Sequence, residues 1–157
     1  MAVRLGEFKK SVIKLKKVAF DTSCFIYHIE ENQEYLALTQ VLFEELLPHG
    51  RIEAVGSTLL LTEILTRPFE EGREDLVLAY KALLSGFPNF KIYPLDKDIA
   101  QEAARLRAQH RLKRPDAIHI ATALASGAKG IVGNDASWKK VADTKVVVLA
   151  DFAASSA

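Results

Sequence analysis

Five short, largely apolar runs punctuate this chain: Val18–Asp21, Ile52–Val55, Phe90–Tyr93, Ile131–Val132 and Lys145–Leu149. Helical patterns fill the intervals between them. A strand with apolar residues on both faces must be covered on both faces, and helical crossovers make the strands parallel. This alternation predicts an α/β chain: a three-layer α/β/α sandwich around a central, mostly parallel five-stranded sheet. The predicted helices are a short one near Cys24–His28 and longer ones over Glu34–Leu47, Arg73–Leu84, Asp98–His110 and Pro115–Ala125. Another carries Glu63, with Ser57 or Thr58 as its N-cap and Arg67-Pro68 as its stop. On Glu34–Leu47 the residues Tyr35, Leu38, Leu42 and Leu46 recur at helical spacing. That helix carries more apolar residues than one stripe requires, which makes Leu36, Leu42 and Phe43 candidates for a contact between subunits or for burial within one.

At 157 residues the chain has room for one ordinary domain, expected to span 1–157 with a core of about 18–149 behind a charged N-terminal arm, 1–16. With 49% hydrophobic and 26% charged residues, intrinsic disorder is excluded. Cys24 is the only cysteine, so no intrachain disulfide can form; it reads as a small buried helix residue rather than a nucleophile. No stretch approaches the roughly 20 apolar residues that span a bilayer. No apolar segment of signal-peptide length is present near the start, so a cytoplasmic location is expected.

The strand ends carry the chemistry. Asp21 closes the first strand, Glu63 lies in the helix after the second, Asp116 follows Pro115 at a helix start, and Asp135 follows Gly130-Ile-Val-Gly and Asn134. In an open parallel sheet, ligands bind beyond the carboxyl ends of the strands, so these four side chains are expected to share one pocket. Each also has a structural reading: Asp21 as an N-cap, Glu63 on a surface, Asp116 favoured by the helix dipole, Asp135 in a turn. Four carboxylates together repel one another unless a cation neutralises them, and Mg²⁺ or Mn²⁺ suits hard oxygen ligands. The pattern points to metal-dependent phosphate chemistry. Arg111, Lys113 and Arg114 stand just before Asp116, where a polyanion would lie if its scissile phosphate entered the pocket; a solvated helix face is the alternative. Lys9, Lys10, Lys14, Lys16 and Lys17 form a second basic group.

The motifs resemble those of the PIN-domain family, and within it the VapC-type toxins, over about Val18 to Leu149. Asp21-Thr-Ser resembles the family's opening Asp with its small hydroxyl residues, and Thr62-Glu-Ile-Leu its helix-borne Glu. Arg114-Pro-Asp-Ala-Ile-His-Ile-Ala-Thr-Ala-Leu is the most specific segment. Val132-Gly-Asn-Asp resembles the fourth motif, with Gly133 where Thr is common and Trp138 where an aromatic residue often follows. The resemblance implies a Mg²⁺- or Mn²⁺-dependent ribonuclease, dimeric and held by a cognate antitoxin protein. It assigns Asp21, Glu63, Asp116 and Asp135 as catalytic metal-site residues; beside them, Thr22, Ser23 and Asn134 are expected to support the site by hydrogen bonding, and the charge of Arg111, Lys113 and Arg114 to hold RNA. His119 reads as a surface or subunit-contact histidine more readily than as a general acid. The competing readings are a phosphorylation-responsive receiver, for which the fifth strand lacks the expected Lys, and a PIN fold that binds RNA without cutting it.

Overall fold

A computed structural model describes residues 2–154. Strands β1 (Lys17–Phe20), β2 (Glu53–Ser57), β3 (Phe90–Tyr93), β4 (Gly130–Gly133) and β5 (Lys145–Val148) form one sheet in the order β3-β2-β1-β4-β5. Every pairing is parallel, with Val18 opposite Ala54 on one side and Gly130 on the other. From β1 the chain builds outward to β2 and β3, then returns to add β4 and β5 on the other side. The crevice at this reversal, between the ends of β1 and β4, is where an α/β sheet opens a ligand site.

The period-two alternation of the strands sorts side chains into two cores. Val18, Phe20, Ala54 and Val132 face one layer of helices, while Ala19, Val55 and Ile131 face the other. The first layer holds an aromatic group in which the rings of Phe20, Phe25 and Phe43 approach to 5.3–6.1 Å, mostly edge-on as their quadrupoles favour. The second is built by α6 (Lys97–His110) and α7 (Arg114–Ala125). Asp96 caps α6 by accepting from the Ile99 amide at 2.9 Å, and Arg111 ends it in the left-handed region (φ 55°). Pro115 then sits in the first turn of α7, where no ladder donor is needed.

Several expectations are corrected. The charged arm contains helix α1 (Leu5–Ile13), because Phe8 and Val12, one turn apart, both bury completely against the first core. Lys9 meanwhile pairs with Glu45 at 2.6 Å. Pro68 does not stop α4, which runs Leu59–Glu70. The proline lies in the last turn, where a single ladder bond is lost, and its ring is buried. The long helix begins as α3 (Leu36–Gln40), after Asn32 Oδ1 accepts from the amides of Glu34 and Tyr35. It widens into a π-helical turn over Val41–Leu46, with the Leu47 amide donating to Leu42 O. The wider turn carries Val41, Leu42 and Phe43 inward together, and all three are buried in the monomer. Leu42 and Phe43 are therefore core residues and not a subunit contact. Helices α2 (Thr22–Ile29) and α5 (Glu74–Gly86) complete the first layer. No helix among the described residues is long and apolar enough to cross a membrane.

Candidate active site

Asp21 is both of the things its sequence position allowed. As N-cap of α2 it accepts through Oδ1 from the Ser23 amide at 3.0 Å and the Ser23 hydroxyl at 2.5 Å. Its own amide donates to Val132 O at 3.0 Å, fastening the end of β1 to β4. The capping bonds use one oxygen. The other, Oδ2, faces the bare backbone of Gly133, where a Cβ would come within 2.7 Å of it. Gly133 is thus not simply a position that has lost a hydroxyl: Asp21 occupies the space a larger residue would fill. The residue is 8% exposed, and burial raises its pKa against the opposing pull of the Ser23 bonds and the His119 charge.

Helix α4 points Glu63 into the same crevice. Thr22 Oγ1 donates to Glu63 Oε1 at 2.9 Å, and His119 Nε2 meets the same oxygen. Burial alone would raise the Glu63 pKa, but the His119 hydrogen bond and charge, with the Thr22 bond, outweigh it and bring it below the ordinary value. His119 is 4% exposed, which overturns its reading as a surface histidine. Its place on α7, one turn after Asp116, aims it across the crevice at α4. That i, i+3 spacing was the available signal; what the sequence lacked was the knowledge that Glu63 stands opposite.

Asp116, in the first turn of α7, is half-buried. Desolvation raises its pKa. The indole N–H of Trp138 opposes the rise, although it makes no hydrogen bond of normal geometry and is buried without a partner among the described residues. The Asp135 charge adds to the rise. Asp135 is exposed and caps the 3-10 helix Ala136–Lys140, accepting from the Ser137 amide at 2.9 Å and hydroxyl at 2.6 Å. Those bonds, with the charges of Lys113 and Lys140, lower its pKa. Asn134 is committed to architecture. Its Nδ2 donates to the Tyr27 hydroxyl at 3.1 Å, and its Oδ1 accepts from the Ala150 amide at 2.9 Å. Cys24 is buried with its thiol pushed up by burial and by Asp21, the inert condition expected of it.

All four carboxylates line one cavity of about 380 Å³ together with Thr22, Ser23, His119 and Asn134. Ile26, Tyr27 and Trp138 form its less polar wall. No three His, Cys, Asp or Glu among the described residues stand close enough to form a ready-made ligand cluster. Mg²⁺ does not require one, since it keeps several waters and commonly binds through one or two carboxylates plus substrate phosphate. The uncommitted Oδ2 of buried Asp21 and the carboxylate of Asp116 supply the hard oxygens such an ion takes, so the residues fit it. Outside the cavity, Arg111, Lys113 and Arg114 are exposed at the α6–α7 turn. Arg105 and Arg107, a little earlier on α6, are engaged instead with Glu102, Asp143 and the Leu112 carbonyl.

A family model for the PIN domain matches residues 18–144; the chain belongs to the PIN-domain family. The receiver alternative falls with that match. No curated protein matches the chain significantly. Solved structures of similar fold include a toxin–antitoxin complex from Klebsiella pneumoniae, 22% identical with a TM-score of 0.64, over 84% of this chain and 97% of that one. VapBC-1 from nontypeable Haemophilus influenzae is 21% identical with a TM-score of 0.61, over 85% and 98%. VapBC2 from Rickettsia felis, bound to a DNA fragment from its promoter, is 14% identical with a TM-score of 0.63, over 84% and 98%.

Proposed function

We propose that this protein is a Mg²⁺- or Mn²⁺-dependent endoribonuclease, the toxin of a type II toxin–antitoxin pair. The observation that carries the reading is the gathering of Asp21, Glu63, Asp116 and Asp135 in one cavity at the carboxyl ends of the strands. Fixed carboxylates and neighbouring cations supply what phosphodiester hydrolysis asks of a protein, which is positioning and charge neutralisation rather than a nucleophilic side chain. A bound divalent ion would polarise the scissile phosphate and stabilise the departing oxygen. Asp21, fixed by Ser23, and Asp116 would hold that ion, with Asp135 completing the acidic rim. Glu63, clamped by Thr22 and His119, would orient the attacking water; its oxygen bonds to phosphorus as the bridging P–O bond breaks, one proton of the water passing to solvent and the departing oxygen taking one up to leave as a sugar hydroxyl. Arg111, Lys113 and Arg114 hold the RNA backbone at the entrance.

The toxin assignment is supported by the likeness to toxin–antitoxin complexes, and with it come a cognate antitoxin and a homodimer. With Leu42 and Phe43 inside the core, such contacts fall to apolar side chains that remain outside. Phe69 and Leu78 on α4 and α5, 64% and 67% exposed, are the largest.

Cleavage of total cellular RNA in Mg²⁺, in Mn²⁺ and in EDTA tests the reading, with Asp116→Asn beside the wild type. Cutting in either metal, none in EDTA and a loss on the order of a hundredfold or more in the variant are expected. Full activity in Asp116→Asn would reject the metal-site mechanism.

A further inference from the structure

The largest cavity described lies away from the carboxylates, beside the start of β5, and it is basic. Lys129, Lys139 and Lys145 line a space of about 460 Å³ with Asp143 and Thr144. Lys129 and Lys145 make no ion pair among the described residues, whereas Lys139 pairs with Asp151 at 2.5 Å and lines the cavity with its charge already met. The acid in the wall is engaged, since Asp143 meets Arg105, which it shares with Glu102, at 3.0 Å and His110 at 3.3 Å. Thr144, in the same wall, has its Oγ1 buried without a hydrogen-bond partner among the described residues. Lys139 and Lys145 also line the adjoining cavity, of about 240 Å³, where Lys14 joins them. Lys14 belongs to the N-terminal basic group for which the catalytic reading has no use.

The 3-10 helix Ala136–Lys140 links the two regions. It starts at Asp135 on the catalytic rim, where Lys113 and Lys140 act on that carboxylate, and ends beside Lys139. Along β4, the path from Asn134 back to Lys129 spans five residues, about 16 Å at the usual rise of a strand. A nucleic-acid strand advancing about 3.4 Å per nucleotide covers it in roughly five nucleotides, and in fewer if extended.

We infer that the Lys129–Lys139–Lys145 cavity is a second phosphate-binding site, an anchor for the backbone of single-stranded RNA whose scissile phosphate lies at the carboxylates. The identity of the polyanion rests on the ribonuclease reading. Neither Lys129 nor Lys145 belongs to the catalytic machinery, and both are exposed, so they can be changed without opening the core.

The test compares wild type with Lys129→Glu/Lys145→Glu, its folding checked by circular dichroism. Binding of labelled single-stranded RNAs of three and ten nucleotides is followed by fluorescence anisotropy in EDTA. The variant should bind the decamer on the order of tenfold more weakly, with a salt dependence shallower by about 1.4 for two lost contacts, while the trimer is unaffected. Inorganic phosphate, titrated separately, should move the amide resonances of Thr144 and Lys145 in the wild type and not in the variant. Unchanged decamer affinity and salt slope, equal losses for both lengths, or no response to phosphate would each overturn the second site. Cleavage by wild type in Mg²⁺ alongside any of those results would leave the ribonuclease reading standing. Binding as expected with no cleavage of any RNA would do the reverse.

Discussion

Adding one carbon at Gly133 is expected to disable the site from its floor. A Cβ there would lie 2.7 Å from Asp21 Oδ2, 3.0 Å from its Cγ and 3.3 Å from Cζ3 of Trp138. Ordinary contact begins near 3.4 Å, so the carboxylate must retreat by the difference, 3.4 − 2.7, or about 0.7 Å. Its other oxygen is tied to the Ser23 amide and hydroxyl at 3.0 and 2.5 Å, and a retreat of that size carries both bonds towards the edge of normal geometry. Hydrogen bonds to a charged group contribute about 1.5–3 kcal/mol each, and an overpacked site typically loses 1–3 kcal/mol, so a loss of roughly 2 kcal/mol is expected for Gly133→Ala. In a chain of this length that lowers Tm by about 4–8 °C. Gly133→Thr, with two more heavy atoms, should lose more. Both variants should also show a smaller rise in Tm on adding Mn²⁺, because the displaced oxygen is the one left free by the cap. The assay is thermal melting over a Mn²⁺ titration. If Gly133→Ala melts with the wild type and gains as much from Mn²⁺, Asp21 does not fill the space over Gly133 and the reasoning is refuted.

Three further outcomes follow from the same geometry. Asp21→Asn should stabilise the metal-free protein at neutral pH while removing the Mn²⁺ response: a carboxyl whose folded pKa is raised favours folding when protonated and loses that contribution as pH climbs above 3.8 through the folded value. The Tm gap between variant and wild type should therefore widen with pH across that window, and a constant gap would contradict it. His119→Leu strips Glu63 of its buried donor and should lower kcat roughly ten- to a hundredfold with little change in KM, whereas His119→Gln, which can still donate, should recover most of the rate. Equal losses in the two would show that His119 only fills space. Neutralising Arg111, Lys113 and Arg114 together should weaken RNA binding and reduce its salt slope by about 2, leaving turnover at saturation largely intact; an unchanged slope would place the RNA elsewhere.

The strands were legible because burial on both faces fills the central β1 and β4 with Val, Ala, Phe, Ile and Gly while Phe90, Ile92 and Tyr93 keep the edge strand β3 apolar, and the ends of β1 and β4 located Asp21 and Asp135 directly. Helix α1 was hidden because Lys9, Lys10 and Lys14 dominate its segment while only Phe8 and Val12 point inward. The π-helical turn has no local signature: widening the helix by a residue is a response to packing Val41, Leu42 and Phe43 together. Pro68 is a weaker stop than its sequence suggests, since its ring costs little when the helix ends two residues later. His119 and Trp138 depended on tertiary contacts between α7, α4 and the turn after β4, which no single segment encodes.

The two residues that close the fourth motif are under opposite obligations. Both polar atoms of the Asn134 side-chain amide are spent on holding Tyr27 and Ala150, whereas the Asp135 carboxylate caps one short turn in a way that Ser or Asn could imitate. Asp21 burdens the fold with a buried charge that amidation would remove. A descendant released from catalysis would therefore drift downhill, shedding Asp21 and Asp135 first and Asn134 last. The surviving asparagine beside missing acids would mark such a silenced copy, and under the proposed function the acids present here are the residues that stability alone would not keep.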